Sequence, residues 1–154
     1  SGDLFGATIS IVPTSSSFSK QIFQVAVGSP GYNDSQGLVQ VFLASDDEKG
    51  WEQQGQDLTG SKLGEQFGAS LELSTEGYLV VGSPEWTSTT DDHDRKHTAS
   101  EDLLGRGAVR LFSWRSHFFR APKEWVLVGN SPLTGTNLGD RFGQAVAIIR
   151  NGER

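Results

Sequence analysis

The sequence predicts an all-β protein built from a repeated unit of four antiparallel strands, and three observations support this prediction. A five-residue motif that begins and ends with Gly occurs three times, at residues 2–6, 64–68 and 139–143, each time with Phe before its last glycine. We call this motif the glycine phrase. The alternating apolar segments that follow it, rich in β-branched residues, are typical of strands. The tetrapeptide Val-Gly-Ser-Pro then ends an apolar run at residues 27–30 and again at 81–84. Self-similarity in a fixed order indicates a repeat architecture.

Each unit accounts for four strands in turn. In the first unit the pattern predicts strands over residues 5–12, 22–28, 37–43 and 51–58. In the second unit it predicts strands over residues 67–73, 78–82, 107–113 and 124–129. Gly, Pro and Asn separate these runs, as expected for turns. Four antiparallel strands per unit, with units stacked face to face, correspond to the blades of a β-propeller.

The glycine phrase has a physical role in such stacking. A glycine at the start of a strand allows the backbone to approach a neighbour closely or to adopt a positive φ. The Phe between the two glycines is then expected to fill the gap between adjacent blades. The sequence therefore predicts that Phe5, Phe67 and Phe142 are buried at equivalent positions.

The repeats divide the chain into two full blades and the first strand of a third. Blade 1 covers residues 1–63, blade 2 covers 64–138 with a long inserted loop at 85–106, and residues 139–154 begin the next blade. Propellers generally use about four to eight blades, so two blades and one strand do not close a ring. The chain also contains no Met. We therefore expect a fragment of a larger propeller, or a partial propeller that a partner subunit completes.

These motifs resemble the FG-GAP repeat, the blade of the integrin α-subunit head. The resemblance rests on Phe-Gly in the three glycine phrases and on Gly-Ser-Pro at residues 28–30 and 82–84, and it covers nearly the whole chain. The segment at residues 51–60 is similar to versions of the repeat in extracellular proteins of algae and other microbial eukaryotes. The resemblance implies a propeller of about seven blades that lies outside the cell or on its surface and binds ligands.

Many members of this family carry a calcium loop between the first two strands of a blade. Calcium is held by six to eight oxygen ligands, so such a loop needs several carboxylates. The corresponding segments here are residues 13–20, which have no carboxylate, and the short turns at 74–77 and 150–152. We therefore expect no metal ion and no other cofactor.

Composition restricts the classes of partner. A formal net charge of −6 argues against nucleic acid, whose phosphates need a basic surface. No apolar run is long enough for membrane insertion within this segment, and the absence of Cys excludes disulfides and thiolate chemistry.

The inserted loop at residues 85–106 is the predicted contact surface, because insertions in repeats often form the binding face. Its ligand-contact candidates are Trp86, Asp91, Asp92, His93, Asp94 and Arg95. The alternative is a solvated polar loop without a partner. His93 and His97 are four residues apart, but no helix pattern supports a zinc site there. Asn33 begins a glycosylation sequon in a predicted surface turn.

Three classes of function follow. The favoured one is a non-enzymatic binding or adhesion module of a secreted or cell-surface protein, whose partner is a protein or a carbohydrate. The second is a structural subunit whose partial propeller docks in a larger assembly. The third is a propeller enzyme, but the predicted inner strands offer Glu72 as a single carboxylate, and glycoside hydrolysis ordinarily needs two.

Overall fold

A computed structural model describes residues 2–14, 22–44, 50–88, 105–116 and 122–149. Within these residues the protein is all-β apart from one short helical turn, and it forms two antiparallel sheets of five strands each. Each sheet corresponds to one of the two repeated units. We refer to them as the first sheet and the second sheet.

The first sheet has the order β1-β2-β3-β4, and β5 also pairs with β3. Its strands are β1 (Thr8–Thr14), β2 (Ile22–Ser29), β3 (Leu38–Ala44), β4 (Trp51–Gln53) and β5 (Leu58–Thr59). Between β2 and β3 lies the helical turn α1 (Tyr32–Ser35), in which Asn33, Asp34 and Ser35 have positive φ.

The second sheet repeats this topology. Its strands are β6 (Ser70–Leu73), β7 (Tyr78–Ser83), β8 (Ala108–Ser116), β9 (Lys123–Leu127) and β10 (Leu133–Thr134). The path runs β10-β8-β7-β6, and β9 also pairs with β8. All eight predicted strands therefore have counterparts in the structure.

The fourth strand of each unit differs from the prediction, because it is broken into two short pieces. In the first unit the break is at residues 54–57, where Gly55 has φ +84°, and in the second it is at residues 128–132, where Gly129 has φ +86°. The amides of Gln54 and Val128 still donate to β3 and β8, respectively, over 2.7 and 2.8 Å. In each unit, pairing of the fourth strand with the third strand is therefore interrupted over only a few residues.

The hydrophobic core lies between the two sheets. The first sheet contributes side chains from β2, β3 and β5, and the second contributes larger ones from β6 to β9. The buried members include Ala26, Val39, Val41, Leu58, Phe67, Leu71, Leu73, Leu79, Val81, Phe112 and Trp125. Because side chains alternate along a strand, this core consists of one face from each sheet.

At one end of the core, Trp125 joins the sheets through polar contacts. Its indole Nε1 donates to the carbonyl of Gln54 over 3.1 Å, and its backbone exchanges two hydrogen bonds with the Gln56 side chain. The Trp114 ring lies 5.3 Å from the Trp125 ring. A Cβ on Gly55 would lie 2.7 Å from Trp114, so the glycine in the broken fourth strand permits this approach.

The predicted burial of the three Phe side chains holds for one of them and is wrong for two. Phe67 is 0% exposed between the sheets, whereas Phe5 is 64% and Phe142 is 41% exposed. Phe67 and Phe142 do occupy equivalent backbone positions, since they form parallel bridges with Gly37 and Gly107. Phe67 is buried because the first sheet lies on one side of it and the second on the other. Within the described residues, Phe5 and Phe142 each have a sheet on one side alone.

The described part of the third unit, residues 139–149, contains no strand, although the sequence predicts one. Its glycine phrase is nevertheless placed like the one before β6. The carbonyl of Gly143 accepts a hydrogen bond from the hydroxyl of Ser70 over 2.7 Å, just as the carbonyl of Gly68 accepts one from Thr8 over 2.7 Å.

Candidate functional site

The loops of both sheets meet at one end of the molecule, which we call the loop edge. It consists of residues 30–37, 60–68, 84–88, 105–107 and 135–143, which connect β2 to β3, β5 to β6, β7 to β8 and β10 to the third unit. Backbone hydrogen bonds link successive loops: the amide of Gln66 donates to Ser35 over 2.8 Å, and the amide of Gly139 donates to Gly105 over 3.1 Å. The loop edge is therefore one continuous surface.

A buried ion pair lies beneath this surface. Glu65 is 1% exposed, and its Oε1 accepts a hydrogen bond from Nη1 of Arg110 over 2.8 Å. The hydroxyl of Ser61 donates to the other oxygen, Oε2, over 2.7 Å, and Arg110 also donates to the hydroxyls of Ser61 and Ser83. Such pairing offsets the cost of burying the two charges.

Sequence position and strand register bring these groups together. Glu65 is the second residue of the glycine phrase before β6, and Arg110 lies on β8 opposite Val81. Because Val81 belongs to the core, Arg110 points to the same side of the second sheet, towards the first. The guanidinium carbon lies 5.5 Å from the centre of the Phe67 ring, which adds a cation–π contact.

This ion pair is a structural element of the site that the sequence did not predict. One part of its signal was visible, since an acidic residue occupies the second position of the glycine phrase in Asp3, Glu65 and Asp140. The basic partner does not recur in the sequence, because the first unit has Gln40 at the position of Arg110.

The ends of the inserted loop are anchored to the loop edge. Glu85 accepts a hydrogen bond from the amide of Gly105 over 2.9 Å, which closes the base of the loop, and its other oxygen pairs with Arg141 over 3.1 Å. The amide of Gly107 donates to the carbonyl of Trp86 over 2.9 Å. The insertion therefore begins and ends at a fixed position on the second sheet and next to the third unit.

Of the six ligand-contact candidates in this loop, Trp86 lies within the described residues. It is half-buried, and the ammonium of Lys62 lies 6.0 Å from its ring centre. The other five, Asp91, Asp92, His93, Asp94 and Arg95, lie outside the described residues, as does His97. The structure thus places the start of the predicted contact surface on the loop edge and leaves the rest of it a prediction.

Asn33, the glycosylation candidate, lies in α1 at the same edge. Its side chain is exposed, and its Nδ2 donates to Oε1 of Gln36 over 2.6 Å. The carbonyls of the next two residues accept hydrogen bonds from Gly64 and Gln66, so the turn is fixed against the following loop. The structure thus places Asn33 as an exposed side chain in a fixed turn, and its glycosylation stays a prediction.

Three charged side chains in or near this edge take part in hydrogen bonds within the fold. Glu65 and Arg110 are buried and hydrogen-bonded to each other and to the hydroxyls of Ser61 and Ser83. Glu72, the inner-strand carboxylate, accepts a hydrogen bond from the amide of Ile148 over 3.2 Å. Among residues 2–14, 22–44, 50–88, 105–116 and 122–149, no three His, Cys, Asp or Glu side chains are grouped so that they could hold a metal ion. Most of the predicted calcium-free segment at 13–20 lies outside these ranges.

One carboxylate at the edge has a perturbed acidity. The backbone amide of Asn137 lowers the pKa of Asp140, and the amide and hydroxyl of Thr136 act in the same direction. These three groups donate hydrogen bonds to Oδ2 of Asp140, with donor–acceptor distances of 2.8 to 3.2 Å. The fold thus holds an exposed carboxylate in its ionised form.

A comparison with models of known protein families finds no match to this chain, and a comparison with curated proteins finds none either. In the described part of the chain, no helix has the length and apolar character needed to cross a membrane.

Proposed function

We propose that the two sheets are consecutive blades of an FG-GAP-type β-propeller that acts, outside the cell or on its surface, as a non-enzymatic binding or adhesion module. In this proposal the loop edge presents the contact surface, and the partner is a protein or a carbohydrate. The remaining blades belong to the same chain or to a partner subunit.

Repetition of the contacts between units supports the propeller. The first sheet contacts the second through Thr8 and Ser10, which bond to the backbone of Gly68 and Leu73 over 2.7 and 3.0 Å. The second sheet contacts the third unit through the equivalent residues, Ser70 and Glu72, which bond to the backbone of Gly143 and Ile148. Units related by one repeated contact form a ring if the rotation closes, as propeller blades do.

The anchored insertion is the observation that carries the binding role. The two units share their strand order, yet the connection after the Gly-Ser-Pro motif spans residues 31–36 in the first and 85–106 in the second. The sheet therefore does not need the longer connection. The two ends of this connection are nevertheless tied to the loop edge through Glu85, Gly105 and Gly107. A rigid scaffold with a long polar loop is a common arrangement for binding.

The test compares the chain with a variant in which residues 89–104 are replaced by a short Gly-Ser linker. This change keeps Glu85, Trp86 and Gly105, and loop closure depends only weakly on length, by about 0.6 kcal/mol per doubling. We expect nearly unchanged thermal stability. Both proteins are then applied to immobilised panels of neutral oligosaccharides, acidic oligosaccharides and secreted proteins.

The binding proposal requires that the parent chain binds at least one class of immobilised probe and that the shortened chain does not bind it. Trp86→Ala should reproduce much of this loss, since a desolvated aromatic side chain contributes strongly to interfaces. A control, Trp51→Ala, removes an exposed Trp from the first sheet and should leave binding intact. Equal binding by the parent and the shortened chain would place the contact surface elsewhere.

A further inference from the structure

The connections from β2 to β3 and from β7 to β8 are attached to the loop edge in the same way, although only the second contains the insertion. The amide of Gly37 donates to the carbonyl of Tyr32 over 3.0 Å, and the amide of Gly107 donates to that of Trp86 over 2.9 Å. Tyr32 and Trp86 are therefore equivalent positions. The part of the connection that differs in length between the two units follows each of them.

The glycine phrase of the next unit contacts both connections through the same backbone bonds. The amide of Gln66 donates to the carbonyl of Ser35 over 2.8 Å. The amide of Arg141, which has the same position in its own phrase, donates to the carbonyl of Gly105 over 3.2 Å. The insertion therefore begins and ends between backbone contacts that the first unit also has.

A pair of charged side chains distinguishes the second connection from the first. One carboxylate oxygen of Glu85 accepts a hydrogen bond from the amide of Gly105 over 2.9 Å, and the other lies 3.1 Å from Nε of Arg141. The equivalent positions of the first unit are Gly31, which also follows Gly-Ser-Pro, and Gln66. A Cβ on Gly31 would lie 2.4 Å from a carbonyl oxygen of the first glycine phrase, so that position has no room for a carboxylate side chain.

The charged pair is not needed for stacking, because the first unit holds the second without it. It is also poorly placed to add stability, since the Arg141 side chain is 44% exposed and ion pairs with an exposed member contribute little. The pair occurs in the unit that has the insertion, and it joins both ends of the insertion to the third unit. We call these ends, residues 84–88 and 105–107, the loop base.

We propose that Glu85 and Arg141 are positioning residues, through which the third unit holds the loop base, and with it Trp86, in the orientation that meets the partner. This inference rests on the proposed function, and it adds the contact that controls the binding surface. Trp86 follows Glu85 directly and its carbonyl bonds to Gly107, so a shift of the loop base moves this side chain. Because coupling between two sites is reciprocal, a partner bound at the loop base also favours the attached position of the third unit.

The amide of Gly105 reports on the loop base without any partner. Its hydrogen exchange, measured by NMR on the whole chain, depends on how often its bond to Glu85 opens. Arg141→Gln introduces the residue found at the equivalent position, Gln66, and should accelerate this exchange by roughly threefold, as expected for weakening one hydrogen bond. The control is Arg115→Gln, which removes the same charge from an exposed position on β8 and should leave the exchange of Gly105 unchanged.

Glu85→Gln separates the ion pair from the backbone contacts of the glycine phrase. This variant keeps the shape of the side chain but replaces one acceptor oxygen by an amide nitrogen, which cannot accept a hydrogen bond. It should accelerate the exchange of Gly105 to a similar degree. Arg141→Gln should then add no further change, because the two side chains act as one unit. Both variants should keep nearly the parental Tm, which excludes global unfolding as the cause.

The binding role is measured with the class of immobilised probe that the parent chain binds. Glu85→Gln and Arg141→Gln should each weaken this binding by roughly threefold, since the partner must then order the loop base itself. Arg115→Gln should bind the probe like the parent. A bound probe should in turn slow the exchange of the Gly139 amide, which donates to Gly105 over 3.1 Å.

The inference is overturned if Arg141→Gln leaves the exchange of Gly105 unchanged, or if the effects of Glu85→Gln and Arg141→Gln add. It is also overturned if the exchange accelerates while binding of the probe stays at the parental level. Failure of the proposed function has a different signature, because the parent chain then binds no probe while the exchange of Gly105 still responds to Arg141→Gln. That result supports the link between the loop base and the third unit and overturns the binding role.

Discussion

Replacing Phe67 by alanine tests the stacking of the two sheets most directly. The side chain is 0% exposed, its ring meets Phe112 edge to face with centroids 6.1 Å apart, and the guanidinium of Arg110 lies 5.5 Å from its centre. A buried Phe→Ala change generally costs about 3–5 kcal/mol, because it removes apolar burial and leaves a cavity. The two ring contacts place Phe67 in the upper half of this range.

The same substitution at Phe5 is the matched control. Phe5 has the same position in the glycine phrase but is 64% exposed, so Phe5→Ala should change the free energy of unfolding by no more than about 0.5 kcal/mol. Urea unfolding followed by tryptophan fluorescence measures both variants, since Trp125 is buried between the sheets. In thermal unfolding, Phe67→Ala should lower Tm by about 6–20 °C for a chain of this size.

Equal destabilisation by Phe5→Ala and Phe67→Ala would refute this reasoning. It would mean that the phrase stabilises each unit locally, through its own turn, and that contact between the sheets contributes little. A small loss of unfolding free energy in both variants would also indicate that contact between the sheets contributes little. A large loss at Phe67 alone requires the two sheets to unfold together.

Three further predictions concern residues around this interface. Glu65→Leu and Arg110→Leu should each cost about 3–5 kcal/mol, because each leaves a buried charge, whereas the double variant should cost less than either alone in urea unfolding; additive losses would contradict the pairing. Gly37→Ala and Gly50→Ala both place a side chain at positive φ, for about 1–2 kcal/mol, but only Gly37 has backbone where the Cβ would lie, so its variant should be clearly less stable. The folded-state pKa of Asp140 is lowered from 3.8, so this carboxylate stabilises the fold above that pH. The stability difference between the parent and Asp140→Asn should therefore shrink as the pH falls below 3.8. A difference that does not change with pH would argue for a steric effect.

The strands were largely predictable because their signals are local. Alternation of apolar residues and the placement of Gly and Pro in turns are properties of short segments. All eight predicted segments match strands of the structure. The break in each fourth strand escaped prediction. In the first unit the break coincides with a contact between units, because Gly55 makes room for the Trp114 ring, which is distant in sequence.

The buried ion pair could be predicted only in part. The acidic residue recurs in all three glycine phrases, so its position was visible as a pattern. Its partner arises from the register of β7 and β8, which sets Arg110 opposite Val81 and beneath the first sheet. A single sequence contains no signal for this register when the equivalent residue of the other unit is Gln40. For the candidate site, Trp86 has a described position, and residues 91–95 remain a prediction.

The exposure of Phe5 and Phe142 shows why the glycine phrase alone does not predict burial. The glycine phrase places the Phe side chain against one sheet, and the side chain is buried only where a second sheet packs on its other side. Phe67 has both, because Gly37 bridges to its backbone and the second sheet packs on its ring. Burial in a repeat protein is therefore a property of two neighbouring units, in line with nearest-neighbour stability in stacked repeats.

Stacking of this kind joins two different faces, so each sheet must recognise a neighbour that is not its mirror image. A buried ion pair adds little net stability compared with apolar packing, yet a mismatched neighbour leaves a buried charge without a partner, which is costly. Glu65 and Arg110 satisfy each other at the interface within this chain. In the first unit Gln40 occupies the position of Arg110, so this ion pair is not common to all units.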